Sequence, residues 1–476
     1  MRARLAGLAA ALLSIVSGCN DYSYEELSPS VLHNKRHSFV VNVYSTVDIL
    51  FVIDNSGSMA GEQVALAESF SSFAERLDLL FGPGKYQVGV ITTGMFSEMC
   101  CPFESACKIN ASGESGRLQD RLGRIVDWES DPPVFDFRDT QGACRIIGSD
   151  NQVCFYDTET EPPEGVALVG VEGCGIERGL AAVRAALDRE RLAGSGMWNA
   201  GFLRDEAILA VVVVSDEEDC GEVGDVMEGG DMCYYAAAGV DGEGRTSYLD
   251  EGVERPYALT PVEEYHRLLT GLKGDRPGMV KFAAIVGVDK VDEATPGVTI
   301  ADLDNTRIRY EADEHGHYLP STVCATPGCT GQHCEAYPGT RYIELARLFG
   351  LEQGGDGFVG SICHDFSETL EDIATFVACP RTFYLSEPIL DPGLANIFVN
   401  GEAVPRHSCA LTGAEAIPCA GPGDASCSGG AECVETWSYF AAEADEAARI
   451  AFASHYDPCE LIEEGEIHIE LVYATE

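Results

Sequence analysis

The sequence is poor in basic residues. Its 476 positions hold 31 lysines and arginines against 78 aspartates and glutamates, a formal net charge of −47. Nucleic acids and anionic membranes both select a basic footprint, so neither nucleic-acid binding nor electrostatic docking on anionic lipid is expected. The chain also lacks an unbroken apolar stretch of the roughly 20 residues that a bilayer-crossing helix needs. It has no Gly-x-Ser-x-Gly nucleophile turn and no phosphate-cradling glycine loop. No acid, base and nucleophile set stands out, and the chain is read as a binding protein rather than an enzyme. What it does hold is ordinary globular material: 45% hydrophobic and 23% charged residues, which exclude disorder for the bulk of the chain. Its length suits about two to three domains.

Cysteine sets the compartment. The 19 cysteines are too many for a reducing cytosol and point to disulfides formed after export. The N-terminus agrees. Arg2 and Arg4 precede an apolar stretch from Leu5 to Val16, followed by Val16-Ser17-Gly18-Cys19. This stretch resembles the lipobox of bacterial lipoproteins. The resemblance implies that residues 1–18 are a signal peptide and that lipid is attached to Cys19. More than one acyl chain makes such an anchor stable. Removing Cys19 leaves 18 cysteines, enough for nine disulfides of unassigned connectivity. The expected location is exported and lipid-anchored in the cell envelope, in the outer membrane facing the periplasm or the cell surface.

Residues 19–38 are polar and read as a tether. From 39 to 380, buried-type strands alternate with helical periods. Strands are expected at Val47–Ile53, Tyr86–Thr93, Ala207–Ser215, Val280–Val288 and Gly357–Ile362. Helices are expected after Met59 (with Val64, Phe70, Phe73, Leu77 and Leu80 on one face) and over Ile176–Leu192, Val262–Leu272, Arg341–Phe349 and Phe366–Val377. That alternation means an α/β fold with a mostly parallel sheet covered on both faces. Cysteine-rich insertions are expected at about 95–165 and 289–339. Residues 381–476 switch to β only and read as a small antiparallel module, with Asn400-Gly401 as a hairpin turn.

Two loops at strand ends carry the chemistry. Asp54-x-Ser56-x-Ser58 gathers a carboxylate and two hydroxyls on one tight loop, and Asp216 ends the run Val211-Val212-Val213-Val214-Ser215. These are hard oxygen donors of the kind that hold a small divalent cation, on the rim where such sheets bind ligands. Here the sequence resembles the von Willebrand factor type A domain, the fold of integrin I-domains, with its metal-ion-dependent adhesion site. The resemblance implies a doubly wound, mostly parallel six-stranded sheet over residues 39–380. It implies that Ser56 and Ser58 bind the ion directly and that Asp54 and Asp216 bind it directly or through water. The expected ion is Mg2+, with Mn2+ or Ca2+ as alternatives. The expected partner is a protein or matrix ligand presenting a carboxylate to the open coordination position. The chain departs from the family where a threonine precedes a helix: Gly173-Cys174-Gly175 places Cys174 there, and a thiol is a poor magnesium ligand. Glu177 is the candidate to supply the missing oxygen.

Other readings compete. A structural envelope protein with a degenerate or merely stabilising site is the main alternative. An accessory subunit of a metal-ion chelatase is another, at odds with the export signal. His315-x-His317 reads as a solvated turn. Cys324, Cys329, His333 and Cys334 have zinc-like spacing, but in an exported chain they read as disulfides. In Asp216-Glu217-Glu218-Asp219, only Asp216 is assigned to the site and the rest are read as exposed charge.

Overall fold

The computed structural model describes residues 33–42, 46–81, 85–95, 114–118, 144–147, 151–154, 167–171, 173, 175–192, 199, 201–221 and most of 230–475. The exceptions in that last stretch are 251, 275, 277, 293–296, 314, 316, 326–334, 379–381, 386, 387, 390, 410–417, 422–426, 428–432, 442–447, 454, 455 and 457–465. Cys19 and Cys174 therefore lie outside the described residues, as does most of the expected 95–165 insertion.

Valine and isoleucine runs become strands because β-branched side chains fit a pleated surface buried on both faces. Five of them form one parallel sheet: β1 Val47–Ile53, β2 Tyr86–Thr92, β3 Ile208–Val214, β4 Val280–Val286 and β5 Gly357–Ser361. The order across the sheet is β2-β1-β3-β4-β5. The sheet thus has five strands among the described residues where the family resemblance implies six. The five are those that the apolar runs themselves predict.

Alternate residues of β1 feed opposite cores. Ile49, Phe51 and Ile53 meet one group of helices, while Leu50 and Val52 meet another. On the first face lie α1 (Ala60–Phe81) and, packed beside it, the C-terminal helix Phe366–Ala378. Phe70 and Phe73 of α1 hold Phe51 at ring-centroid distances of 4.9 and 5.6 Å. The second face carries α2 (Gly179–Ala186), α3 (Val262–Leu272) and α4 (Thr340–Leu348). Helices thus cover both faces of the parallel sheet. Val64, predicted inward, is 36% exposed, because Leu66 and Ala67 take the inward positions in its turn.

The helix expected over 176–192 is shorter. It runs over α2, with a separate turn at Arg189–Leu192. Its first residues are drawn away into the rim: the Arg178 N–H donates to the Thr93 carbonyl (3.2 Å), and the Cys220 N–H donates to the Glu177 carbonyl (2.7 Å). The described part of the region 289–339 is not all loop. It contains a helix at Ile300–Asn305, whose Thr299 and Asp302 form a reciprocal capping box, and Leu303 is buried.

Among the described residues, the C-terminal part forms three small antiparallel sheets around Trp437, Phe452, Leu471 and Tyr473. Asn400 and Gly401 have φ of 49° and 83°, the left-handed pair that a tight two-residue hairpin requires. One strand here is unexpected. His33–Asn42 pairs over its whole length with Glu466–Thr475, so residues 33–38 of the expected tether belong to this sheet. Cross-strand hydrogen bonding supplies what the sequence of that strand, with few apolar residues, does not advertise.

Four disulfides are described: Cys220–Cys233, Cys324–Cys363, Cys409–Cys427 and Cys419–Cys433. Cys324 is thus bonded to Cys363, which removes it from the zinc-like cluster. No helix among the described residues is long and apolar enough to cross a membrane.

Candidate metal-binding rim

All five strands point the same way, and their register aligns Ile53 with both Thr92 and Val214. The chain leaves β1 toward β2 on one side and returns to β3 on the other. The carboxyl ends of β1 and β3 therefore flank the topological switch point, where the diverging loops open a crevice. Asp54 follows β1 and Asp216 lies two residues beyond β3, so both occupy that crevice.

The β1 loop is wound around Asp54. Its N–H donates to the Val214 carbonyl (2.9 Å). Its Oδ1 accepts the Ser56 N–H (2.8 Å), and its Oδ2 accepts the Ser215 hydroxyl (2.6 Å). The Gln63 amide, one turn into α1, donates to the carbonyls of Asp54 and Gly170 at 2.8 Å each and fixes the loop from behind. The Oγ atoms of Ser56 and Ser58 are 2.8 Å apart, and the Ser58 hydroxyl faces the Asp216 carboxyl and favours its charged form. Hydrogen bonds join Asp54 to Ser56 and Ser56 to Ser58, and Asp216 lies beside Ser58. Asp54, Ser56 and Asp216 are buried and Ser58 is half-buried.

Glu177 joins them from the loop before α2. It is 0% exposed, within hydrogen-bond reach of Asp54, and its Oε2 accepts the Thr93 hydroxyl. Glu62, in the first turn of α1, is also 0% exposed and is among the charges acting on Asp216. Several oxygens here have no hydrogen-bond partner: Asp216 Oδ1, Glu177 Oε1 and both carboxylate oxygens of Glu62.

Such burial of like charges shifts their ionisation. Burial raises the Asp54 carboxyl above the usual range. Burial, then the charges of Asp54 and Glu217, push both Glu177 and Asp216 well above it. Glu217, half-buried at the edge, is pushed up to about 8 by burial and by Asp54. The leading influences on these four are burial, hydroxyls, backbone N–H groups and one another, with no lysine or arginine among them.

Orphaned buried carboxylate oxygens beside hydroxyls fit a hard divalent cation. Among the described residues, no three acidic side chains bring ligand oxygens within 4.8 Å of one another. Asp54, Glu177 and Asp216 therefore do not all meet at one point as the structure stands, and Asp54, with Ser56 and Ser58, is the fixed part of the candidate donor set. The group that does meet that distance, Cys409, Cys419 and Cys427, is occupied by disulfides. His315 and His317 are exposed in a turn whose N–H groups are held by Asp313.

Glu218 and Asp219 are not exposed charge. Both are buried, and each has a fixed task. Glu218 accepts the Thr340 and Arg341 N–H groups at the start of α4. Asp219 accepts the Leu180 N–H at the start of α2 (3.0 Å) and pairs with Arg341 Nε (3.0 Å). Anions are favoured at helix N-termini, and the two residues tie the Asp216 loop to two helices. Sequence reasoning also passed over Thr93, Glu62 and Ser215. The available signal was the polar pair Thr92-Thr93 at the end of an apolar strand.

No protein-family model and no curated protein matches the chain. Among solved structures, the pilus adhesin SpaC from Lactobacillus rhamnosus GG aligns in two crystal structures, one an open conformation, at 11% and 10% identity and TM-scores of 0.28 and 0.29. The pilus adhesin RrgA from Streptococcus pneumoniae aligns at 9% identity and a TM-score of 0.22. The alignments cover 92–93% of this chain but only 40%, 41% and 57% of those chains. The chain thus spans less than two thirds of the length of each, and likenesses of this strength carry no argument about what it does.

Proposed function

We propose that this chain is an exported envelope protein, lipid-anchored through Cys19, that uses the rim site to hold a divalent cation and, through it, a protein or matrix ligand. The observation that carries this reading is the gathering of Asp54, Ser56, Ser58 and Asp216 at the switch point, with buried carboxylate oxygens that no protein donor satisfies. Asp54 and Asp216 supply the charge, and Ser56 and Ser58 supply neutral oxygens. Gly57 is exposed, and Ser58 and Glu217 are half-buried, so the site opens to solvent on that side. The bound ion supplies a Lewis-acidic position for an oxygen of the partner. Mg2+ is the expected ion, with Mn2+ and Ca2+ as substitutes.

The near-complete burial of Asp54, Glu177 and Asp216 also favours a second reading, a cation that only stabilises the domain. Two measurements separate them. Chelator-stripped protein titrated with Mg2+ or Mn2+ gains about 2.7 kcal/mol of stability at a hundred times Kd under either reading. Only the first reading also gives retention of an envelope or matrix ligand that is lost with chelator. Absence of any saturable cation binding removes both. For the anchor, mass spectrometry of the mature N-terminal peptide should find a lipid-modified Cys19. An unmodified N-terminus elsewhere rules it out.

A further inference from the structure

A row of tyrosines lies on the segments beyond the Asp216 loop. The helix Gly230–Ala238, stapled near that loop by Cys220–Cys233, carries Tyr234 and Tyr235 side by side. Successive helical positions point about 100° apart. Tyr234 turns inward onto Tyr337, with ring centroids 5.0 Å apart, and Tyr235 is half-buried on the outside. There it meets two hairpins. Tyr257 lies 5.7 Å from it and Tyr248 lies 5.2 Å from Tyr257; both come from the hairpin of Ser247–Asp250 with Val253–Pro256 and the residue that follows it. On the other side Tyr310, from the hairpin of Tyr310–Ala312 with Tyr318–Pro320, lies 5.4 Å from Tyr235. Tyr318 shares a hairpin face with Tyr310, and Gly242 lies against both: a Cβ there would collide with Tyr318 and stand 3.3 Å from Tyr310 Cγ. The row is open at its ends, where Tyr318 is 41% exposed and Val253, on the Tyr248 face, is 53% exposed.

We propose that this row is a docking groove for a proline-rich segment of a partner protein, held as a polyproline II helix and carrying an arginine or lysine at its end. The rings are tilted against one another by 31°, 70° and 46° along the row. They share no plane, so they offer furrows between rings and not a flat platform on which a sugar would stack. The Tyr235 hydroxyl donates to the Tyr318 carbonyl (2.8 Å) and the Tyr310 hydroxyl to the Val240 carbonyl (3.3 Å), so ring surface is what the row presents. A polyproline II helix rises about 3.1 Å per residue, and one ring-to-ring step takes up about two residues. Such segments dock in aromatic-lined grooves because they are ordered before they bind. Charge gives the sign of the end. Arg245, in the Gly242 turn, is engaged by Asp241 and Glu243, and Arg255 also has a partner within the chain. Glu254 in the first hairpin and Glu311 in the second are exposed carboxylates near the two ends. A basic residue complements them and an acidic one is rejected.

The test uses the full chain in chelator, so that the cation reading plays no part in it. Three labelled peptides of equal length are compared by fluorescence anisotropy at physiological salt. The first repeats Pro-Pro-Ala and ends in arginine. The second has alanine for every proline, and the third has glutamate for the arginine. The first two carry the same charge, so diffuse attraction to a strongly acidic protein is common to both. The first should bind saturably, about tenfold or more tighter than either of the others. Tyr248→Ser and Tyr318→Ser, at opposite ends of the row, should each weaken it by about fivefold or more, with thermal denaturation showing that the variants fold. A first peptide that binds no tighter than the second or the third overturns the proposal, and so does unchanged affinity in both folded variants. A β-linked oligosaccharide that binds the parent and neither variant makes the row a sugar site instead. The parent's affinities for the three peptides decide the matter where a variant fails to fold.

Discussion

Asp54→Asn should lower cation affinity by roughly a hundredfold or more while leaving the cation-free protein no less stable than the parent. Substitutions outside the direct ligand set already cost about 10–100-fold in metal affinity, and the proposed site counts Asp54 among its charged donors. The second half of the prediction follows from burial. Without an ion, the Asp54 carboxyl is desolvated and its charge pushes Glu177 and Asp216 upward. Asparagine removes that repulsion and keeps the local bonds: its oxygen can accept the Ser56 N–H, and its amide can donate to the Ser215 hydroxyl. Thermal denaturation with Mn2+ and with chelator checks both halves. A variant that keeps the parent's Mn2+-dependent rise takes Asp54 out of the site. A variant that fails to fold in chelator makes Asp54 a structural residue instead.

Arg341→Met should cost about 3–5 kcal/mol, because it strands a buried charge. Asp219 is 0% exposed, and Arg341 is its cationic partner; the guanidinium also donates to the Thr260 carbonyl at 2.8 Å. Methionine fills part of the volume and leaves the carboxylate with N–H donors alone. Combining Arg341→Met with Asp219→Asn should recover a large share of the loss, since an amide needs no counter-charge. Denaturant unfolding of the single and double variants measures this. A double variant no more stable than Arg341→Met alone would show that packing, and not the ion pair, sets the cost.

Much of the sheet is legible in the sequence. A run such as Val211-Val212-Val213-Val214 has no soluble alternative to a strand covered on both faces. Asp54, Ser56, Ser58 and Asp216 are legible for a related reason: polar residues that directly follow such strands fall on one rim. The rest depends on partners far along the chain. Glu62 in the first turn of a helix looks like a routine dipole-favoured glutamate. It becomes unusual only when the loop after β3 brings Asp216, a second buried carboxyl group, near it. Glu218 and Asp219 read as solvated charge because nothing local reveals that the N-termini of α4 and α2 will arrive beside them. Val64 misleads because a helical period allows it inward, and the choice falls to the neighbouring Leu66 and Ala67. The strand His33–Asn42 has the weakest signal of all, since its partner lies more than 400 residues away.

The pairing of His33–Asn42 with Glu466–Thr475 has a mechanical consequence. If the chain is held at its N-terminal side and a ligand pulls on the rim, tension runs along one covalent line. That line passes from residue 33 through β1 to Asp54. β1 is the central strand of the switch, bonded in register to β2 and to β3 along its entire length. A load along its axis shears both ladders at once and does not peel one bond at a time. The C-terminal module lies off this line, joined to it by the Glu466–Thr475 ladder. The proposed cation rim is therefore joined to the N-terminal side of the chain by a strand held in two full ladders, which resist a load along the strand together.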